Sequence, residues 1–228
     1  MAIKRPAHHK TGSIRTTVQS KIKGRYLLYL PPEYRGSRRR WPLVLFLHGA
    51  GERGQDLEKL KAHGPTQLVE DGEPFPFILV SPQCPEDRWW SIPFLDALLK
   101  EIVRQYRVDA NRIYVTGLSM GGFAAWELAI AYPNRFAAIA PICGGGQPLL
   151  VHKIRHVPVW AFHGGRDPIV PVRKSREMVA HLQAAGGNVR FTVYPDAEHD
   201  VWTETYRNPE FWEWLLAQRR PGRGKPAK

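Results

Sequence analysis

Ser119 stands between two glycines, in the stretch Gly117-Leu118-Ser119-Met120-Gly121. An apolar run precedes this stretch and a helix-forming run follows it, which places the serine where a strand turns into a helix. So tight a turn holds the serine in a strained backbone conformation and projects its hydroxyl above the sheet. The flanking glycines remove side chains that would collide with the neighbouring backbone. The pattern predicts a serine nucleophile, and the alternative is a glycine-rich turn with an incidental serine.

Two further residues could activate this serine. A serine hydroxyl becomes a good nucleophile when a neighbouring base takes its proton as it attacks. His199 follows the last predicted strand, and Asp167 follows the strand before it. In parallel sheets both positions fall on the same edge as Ser119. We therefore expect His199 to be the general base, and Asp167 to orient the imidazole and stabilise its protonated form.

Other side chains compete for these roles. His163 ends a strand but precedes Asp167, which would break the chain order of serine, acid and histidine, so we expect it to be structural. Asp200 adjoins His199, and neighbouring side chains diverge, which makes it a poor partner for the imidazole. Asp196 remains an alternative acid, because it also follows the last predicted strand.

Acyl transfer also requires N–H donors for the oxyanion of the tetrahedral intermediate. The N–H of Met120, directly after the serine, is one candidate. The other is expected in the loop "HGAGERG" after the first buried strand, with Ala50 as the first candidate and Gly51 as the second. Taken alone, a glycine turn that closes a strand–helix unit explains this loop about as well.

Apolar runs typical of buried strands alternate with amphipathic stretches along most of the chain. This alternation predicts an α/β protein with a mostly parallel sheet and helices on both faces. Strands are expected within 24–34, 43–47, 77–85, 112–117, 136–145, 158–165 and 189–199, and helices over 91–106, 122–132, 172–187 and 209–218.

The composition is that of one globular domain. The chain has 228 residues, 43% of them hydrophobic and 24% charged, which suffices for a sizeable core. Cys84 and Cys143 are too few for a disulfide framework and have no metal-ligand spacing. The first thirty residues carry no signal-peptide pattern, and no run approaches the roughly 20 apolar residues of a membrane span. We expect a soluble, cytoplasmic protein without a bound metal.

The formal net charge is +12, with basic clusters at residues 35–40 and 219–228. Nucleic-acid binding through these clusters is one interpretation, but no nucleic-acid motif accompanies them. We expect a basic solvated surface and no specific nucleic-acid partner. The expected organisation is a basic N-terminal extension over residues 1–20, a catalytic domain over 21–218 and a disordered basic tail over 219–228.

The stretches "LHGAGERG", "GLSMGGFAAWELA", "HGGRD" and "AEH" resemble the α/β-hydrolase superfamily across about residues 22–216. They are most similar to its small carboxylesterase/phospholipase and dienelactone-hydrolase-like branch, which includes predicted peptidases and feruloyl-esterase-like members. No large cap insertion is visible between the predicted strands, and the resemblance implies the α/β-hydrolase fold. It also implies a serine hydrolase that needs no metal or cofactor and acts on small-molecule carboxylic esters with short-chain or aromatic acyl groups. Dienelactone hydrolases themselves have cysteine where this chain has Ser119.

Three tryptophans are candidates for the substrate pocket. Trp89 and Trp90 follow a predicted strand, and Trp202 lies three residues beyond His199. Aromatic side chains suit apolar or planar ester groups, although packing roles explain the same residues. Three other functions remain as alternatives: a serine peptidase with the same triad, a non-catalytic binding protein on a hydrolase scaffold, and a nucleic-acid binder that uses the basic tails.

Overall fold

A computed structural model describes residues 23–221. They form one seven-stranded sheet in the order β1-β3-β2-β4-β5-β6-β7. Strand β1 runs antiparallel to β3, and the other neighbouring pairs are parallel. The predicted α/β class is therefore confirmed. The strands are β1 (Tyr26–Tyr29), β2 (Trp41–Leu47), β3 (Ile78–Pro82), β4 (Val108–Leu118), β5 (Ala138–Ile142), β6 (Val159–Gly164) and β7 (Val189–Tyr194).

Residues 23–221 contain six α-helices, four of which match the predicted helices. Helices α1 (Gly64–Glu70) and α5 (Trp202–Arg207) were not predicted, because each has seven residues or fewer and α1 begins with a Gly-Pro pair typical of a turn. Among residues 23–221, no helix is both long and apolar enough to cross a membrane. The helices are α1 (Gly64–Glu70), α2 (Ile92–Gln105), α3 (Met120–Ala131), α4 (Arg173–Ala184), α5 (Trp202–Arg207) and α6 (Pro209–Ala217), and 3-10 turns cover Pro32–Tyr34, Leu57–Lys61 and Pro148–Ile154.

Strand β2 lies near the middle of the sheet and is buried on both faces, as its continuous apolar run predicts. Its alternate residues point into two different core layers. Leu45 joins the layer that contains Leu99 of α2 and Met178 of α4. Phe46 joins the layer that contains Tyr206 of α5 and Phe211 of α6. The sheet therefore lies between two packed layers of helices, with its carboxyl edge left at one end.

The predicted N-terminal extension and most of the predicted tail lie outside the described residues. Two residues that follow position 218 make contacts with the first residues of β4. Arg219 donates to Asp109 Oδ2 at 2.9 Å, and the N–H of Arg220 donates to the Asn111 carbonyl at 2.9 Å. The folded chain therefore continues past residue 218 and packs along β4.

Two arginines of the basic cluster at residues 35–40 pack against the folded domain. The guanidinium of Arg39 lies 3.5 Å from the ring centroid of Trp41, and Arg40 donates to the Val108 carbonyl at 3.2 Å. Both contacts lie at the start of β2, opposite the edge where Ser119 lies. These arginines therefore cover the amino end of the sheet.

Candidate active site

Ser119 occupies the single residue between β4 and α3. Its φ of 52° and ψ of −117° put a non-glycine residue in a strained region, at a cost on the order of 1–3 kcal/mol. Two backbone hydrogen bonds hold it there. Its N–H donates to the Ile142 carbonyl at 2.9 Å, and its carbonyl accepts from the Phe123 N–H at 3.1 Å. The strain is maintained by β5 on one side and by the first turn of α3 on the other.

The two glycines of the turn are required by backbone contacts. A Cβ on Gly121 would lie 1.9 Å from the Leu47 carbonyl oxygen. A Cβ on Gly117 would lie 2.6 Å from both the Leu47 and the Gly121 oxygens. The end of β2 therefore packs directly against the start of α3, and this contact positions the loop after β2 beside the serine.

We expect Gly121→Ala to lower the free energy of unfolding by at least about 1–3 kcal/mol, because backbone rather than a flexible side chain must move. Urea denaturation measures the effect. Gly51→Ala is the matched control, since a Cβ there meets no atom within 4 Å. Equal stability of the two variants would contradict the close approach of Leu47 to α3.

The structure brings together the serine, histidine and aspartate that the sequence singles out. Ser119 Oγ lies 2.9 Å from His199 Nε2, and His199 Nδ1 lies 2.6 Å from Asp167 Oδ2. The Asp167 side chain is fully buried, whereas that of His199 keeps 18% of its surface exposed. With Nδ1–H donating to Asp167, Nε2 is left free to accept the serine proton.

Asp167 is held in its ionised form. Burial alone would raise the pKa of this carboxyl, but hydrogen bonds from His199 and from two backbone N–H groups bring the pKa below its ordinary value. Those N–H groups belong to Ile169 and Val170 and reach Oδ1 at 2.9 and 2.8 Å. Oδ2 is thereby left to His199, and the carboxylate fixes the orientation of the imidazole.

The competing residues make other contacts. Asp196 is exposed and pairs with Arg166 at 2.6 Å. Asp200 caps the following turn, where its oxygens accept from the N–H and hydroxyl of Thr203. His163 is fully buried beneath Asp167, with Nε2 donating to the Val170 carbonyl at 2.8 Å. In this structure Ser119 contacts none of these competitors, and its imidazole partner is His199.

Cys143 is buried beneath the site and contacts the backbone of His199. Its thiol donates to the His199 carbonyl at 3.2 Å. Its φ of 48° is a second strained position at the carboxyl edge. Burial raises the pKa of the thiol to about 12, so it stays protonated and can donate. The sequence carries no signal for this contact except that Cys143 directly follows β5.

Cys143, Asp167 and His199 also bring potential metal-ligand atoms within 4.8 Å of one another. These atoms already take part in the hydrogen bonds just described. A cysteine binds metal as its thiolate, which the raised pKa of this thiol disfavours. The cluster fits a hydrogen-bonded network better than a metal centre.

The loop after β2 passes beside Ser119. A Cβ on Gly49 would lie 3.6 Å from the Cβ of Ser119 and 2.8 Å from Cδ1 of Leu118. Ala50 follows and is exposed. Met120 is the first residue of α3, so its N–H has no partner within the helix. The backbone of both candidate donors therefore lies next to Ser119.

His48 fixes this loop. Its Nδ1–H donates to the Gly49 carbonyl at 2.6 Å, and its Nε2 accepts from the Cys84 N–H at 2.9 Å. Trp90 packs on the imidazole with ring centroids 4.7 Å apart and donates to the His48 carbonyl at 3.3 Å. Burial lowers the pKa of His48 from 6.5 to about 4, which keeps the ring neutral in this role.

Protonation of His48 should make the stability of the folded protein depend on pH. The unfolded chain takes up the proton below pH 6.5 and the folded chain only near pH 4, so stability is lost as pH falls between these values. The loss attributable to His48 is up to about 3 kcal/mol. Urea denaturation at pH 7 and 4.5 should show a smaller loss for His48→Gln than for the native chain. His181→Gln, at an exposed histidine of α4, should retain the full loss, and equal losses in all three proteins would refute this role.

The three candidate pocket tryptophans have different environments. Trp89 is 54% exposed at the rim. Trp202 is 8% exposed and packs edge-on against His199 with ring centroids 5.1 Å apart, so it buttresses the imidazole. Trp90 is only 4% exposed, and the contacts with His48 described above make its main role support of the loop after β2.

Glu52 is a further residue of this loop, and sequence reasoning assigned it no chemistry. Its side chain is 10% exposed, with Oε1 3.7 Å from His63 Nε2 and Oε2 3.7 Å from His48 Nδ1. Across residues 23–221 its Oε2 finds no hydrogen-bond partner. The His63 ring in turn packs edge-on against Trp202 at 5.7 Å. A buried carboxylate therefore lies between the loop after β2 and the wall beside His199.

Comparison with solved structures gives the same fold. A crystal structure of a thermostable esterase shares 36% identity with this chain at a TM-score of 0.75, covering 86% of this chain and 59% of the other. The phospholipase/carboxylesterase of Dyadobacter fermentans shares 21% identity at a TM-score of 0.60, covering 85% and 95% of the two chains. Both neighbours have the α/β-hydrolase fold that the sequence resemblance implied, and within the described residues no large cap domain is built onto it.

Curated sequences place the chain among related enzymes. The bifunctional acetylxylan esterase/xylanase XynS20E of Neocallimastix patriciarum is 29% identical over 141 residues, which cover 57% of this chain and 20% of that protein. The chain spans about half the length, or less, of several curated relatives that it matches. Residues 91–209, more than half of the chain, match the dienelactone hydrolase family. The chain therefore belongs to the dienelactone hydrolase family.

Proposed function

We propose that this protein hydrolyses small carboxylic esters, with short-chain or aromatic acyl groups, through an acyl-enzyme formed on Ser119. The observation that carries the proposal is the continuous hydrogen-bonded chain from Ser119 Oγ through His199 to the buried carboxylate of Asp167. The named activity of the thermostable esterase with 36% identity supports an ester substrate. The residues of the site suffice for this chemistry without a cofactor.

In the first half-reaction, Ser119 Oγ attacks the ester carbonyl carbon while His199 Nε2 takes its proton. The ionised Asp167 carboxylate stabilises the imidazolium that results. The negative oxygen of the tetrahedral intermediate is positioned to accept hydrogen bonds from the N–H groups of Met120 and Ala50. The N-terminal end of α3 adds a favourable dipole at the same point.

The first half-reaction ends when the His199 imidazolium gives its proton to the leaving alcohol oxygen, and the tetrahedral intermediate collapses to the acyl-enzyme and the free alcohol. In the second half-reaction the histidine again acts first as a base and then as an acid. Water then attacks the acyl carbon while His199 Nε2 accepts a proton from it. Collapse of the second tetrahedral intermediate releases the carboxylic acid and restores the Ser119 hydroxyl. Trp202 keeps the imidazole in one plane through both steps, because it packs against the ring edge-on.

The proposed oxyanion donor at Ala50 can be tested without changing a side-chain function. Ala50→Pro removes the N–H and should lower kcat for 4-nitrophenyl acetate by about 100-fold or more. Ala50→Gly retains the N–H and is the matched control. Circular dichroism and thermal melting establish that both variants fold. Equal activity of the two folded variants would assign the donor elsewhere, with Gly51 as the next candidate.

Two measurements, probe labelling and ester turnover, test the proposed function directly. A fluorophosphonate probe should label the protein on Ser119, and a panel of 4-nitrophenyl esters from acetate to longer chains should be hydrolysed. Labelling together with ester turnover supports the proposal. A folded protein that neither labels nor turns over any ester would favour a non-catalytic binding protein. Faster turnover of peptide amides than of esters would favour a peptidase.

A further inference from the structure

The tip of the loop after β2 makes few packing contacts. Ala50 and Gly51 are both exposed, and a Cβ built on Gly51 would meet no atom within 4 Å. The Ala50 N–H is nevertheless one of the two proposed oxyanion donors, and such a donor is effective when its direction is fixed before the reaction begins. The conformation at Ala50 therefore depends on hydrogen bonds rather than on packing.

Two side chains hold the carbonyl groups on either side of the Ala50 Cα. His48 Nδ1–H donates to the Gly49 carbonyl at 2.6 Å, and Arg53 Nε–H donates to the Ala50 carbonyl at 3.0 Å. In a trans peptide group the C=O and N–H bonds lie in one plane and point in opposite directions. The His48 contact therefore fixes the peptide group that contains the Ala50 N–H, and the Arg53 contact fixes the peptide group that follows it.

Arg53 also ties the loop after β2 to the loop after β3. Its Nη1 donates to the Arg88 carbonyl at 3.4 Å, and the N–H of Gly54, the next residue, donates to the Cys84 carbonyl at 3.0 Å. A guanidinium is planar and carries its N–H donors in a rigid fork, so it can hold two carbonyl groups at a fixed separation. The side chain therefore joins the tip of one loop to the backbone of the other.

No acidic side chain in the described part of the chain competes for this guanidinium. Glu52 is adjacent in sequence, but its carboxylate faces inward, with its oxygens 3.7 Å from His48 Nδ1 and His63 Nε2. Within residues 23–221 Arg53 makes no ion pair, and both side-chain hydrogen bonds go to backbone carbonyls. The hydrogen-bonding capacity of Arg53 is therefore used to hold backbone.

We propose that Arg53 is a positioning residue for the oxyanion hole. Its guanidinium holds the Ala50 peptide group against the loop after β3, which keeps the Ala50 N–H directed at the developing oxyanion. His48 performs the buried half of this task and Arg53 the half nearer to solvent, and Arg53 acts through Ala50 rather than by contact with the substrate. The assignment rests on the proposed function, because it concerns a donor that the proposed mechanism uses.

The first test is the kinetics of Arg53→Ala with 4-nitrophenyl acetate. Both tetrahedral intermediates use the same donors, so kcat and kcat/KM should fall together by about 10-fold or more, the value of one hydrogen bond from a charged group. Arg53→Lys keeps the charge but not the fork and should give an intermediate loss. Arg176→Ala, at an exposed arginine of α4, should keep native turnover. Thermal melting establishes that each variant folds.

The second test restores the missing group, since a general loosening of the loop would also lower turnover. Ethylguanidinium fits the space that Arg53→Ala vacates and can donate to the same two carbonyls. At millimolar concentration and constant ionic strength it should raise kcat of this variant several-fold, whereas ethylammonium should leave it unchanged. Neither cation should alter the native protein.

A double-mutant cycle tests whether Arg53 acts through Ala50. Adding Arg53→Ala to Ala50→Pro, which lacks the donor, should cause no further loss, because an absent donor cannot be positioned. The proposal would be overturned by the same factor of loss in both backgrounds, by native kcat in folded Arg53→Ala, or by ethylammonium that rescues as well as ethylguanidinium. A native protein that turns over no ester would instead overturn the proposed function, and this assignment with it.

Discussion

Replacing Ser119 by alanine is expected to lower kcat for 4-nitrophenyl acetate by about a million-fold, which is the loss seen when the nucleophile of a complete triad is removed. The expectation follows from geometry, because Ser119 Oγ lies 2.9 Å from His199 Nε2, which can accept the proton of the hydroxyl. Without the hydroxyl no acyl-enzyme can form, and fluorophosphonate labelling should disappear with the activity. Initial rates over a range of enzyme concentrations separate residual turnover from spontaneous hydrolysis.

Ser37→Ala is the matched control for this variant. Ser37 lies in the connection between β1 and β2, at the opposite edge of the sheet, and its hydroxyl only accepts from the Arg39 N–H. Thermal melting should show that both variants fold. Native turnover in the folded Ser119→Ala protein would remove the nucleophile from the proposed mechanism, and labelling that persists would locate the reactive group on another residue.

The sequence could predict the sheet and its edge because the relevant information is local. Buried strands are continuous apolar runs, and the residues that follow them in a parallel sheet must meet at one edge. Ser119, Asp167 and His199 each follow such a run, and their side chains meet at that edge, with His199 between the other two. Short elements such as α1 lack a periodic pattern of useful length, so they escaped prediction.

The supporting contacts could not be predicted in the same way. Whether Trp90 lines an open pocket or packs on His48 depends on how the loop after β3 meets the loop after β2, and no local pattern encodes that meeting. The thiol of Cys143 reaches the His199 carbonyl across 56 residues of chain. The burial of Glu52 beside His63 likewise arises from tertiary packing. Composition and spacing identify the residues that could react, whereas the residues that hold them in place can be found only from the folded structure.

Asp167→Asn is expected to lower kcat by about 10,000-fold while leaving the fold intact. Two backbone N–H groups donate to Oδ1, so the amide oxygen of an asparagine would occupy that position. Its NH₂ would then replace Oδ2 and face His199 Nδ1. Nδ1 would have to accept rather than donate, so the proton of the neutral ring would move to Nε2. A histidine in this tautomer cannot take the proton of Ser119. Single-turnover kinetics with 4-nitrophenyl acetate, which isolate the acylation step, measure the loss.

The same substitution at the two competing acids gives the matched controls. Asp196 is exposed and paired with Arg166, and Asp200 caps the turn at Thr203, so Asp196→Asn and Asp200→Asn should each retain turnover within a few-fold of the native protein. A loss at Asp196 as large as that expected at Asp167 would move the acid of the triad to the loop after β7. A large loss confined to Asp167 would mean that a carboxylate buried at the end of β6 sets the tautomer of the base, and the reactivity of Ser119 depends on that tautomer.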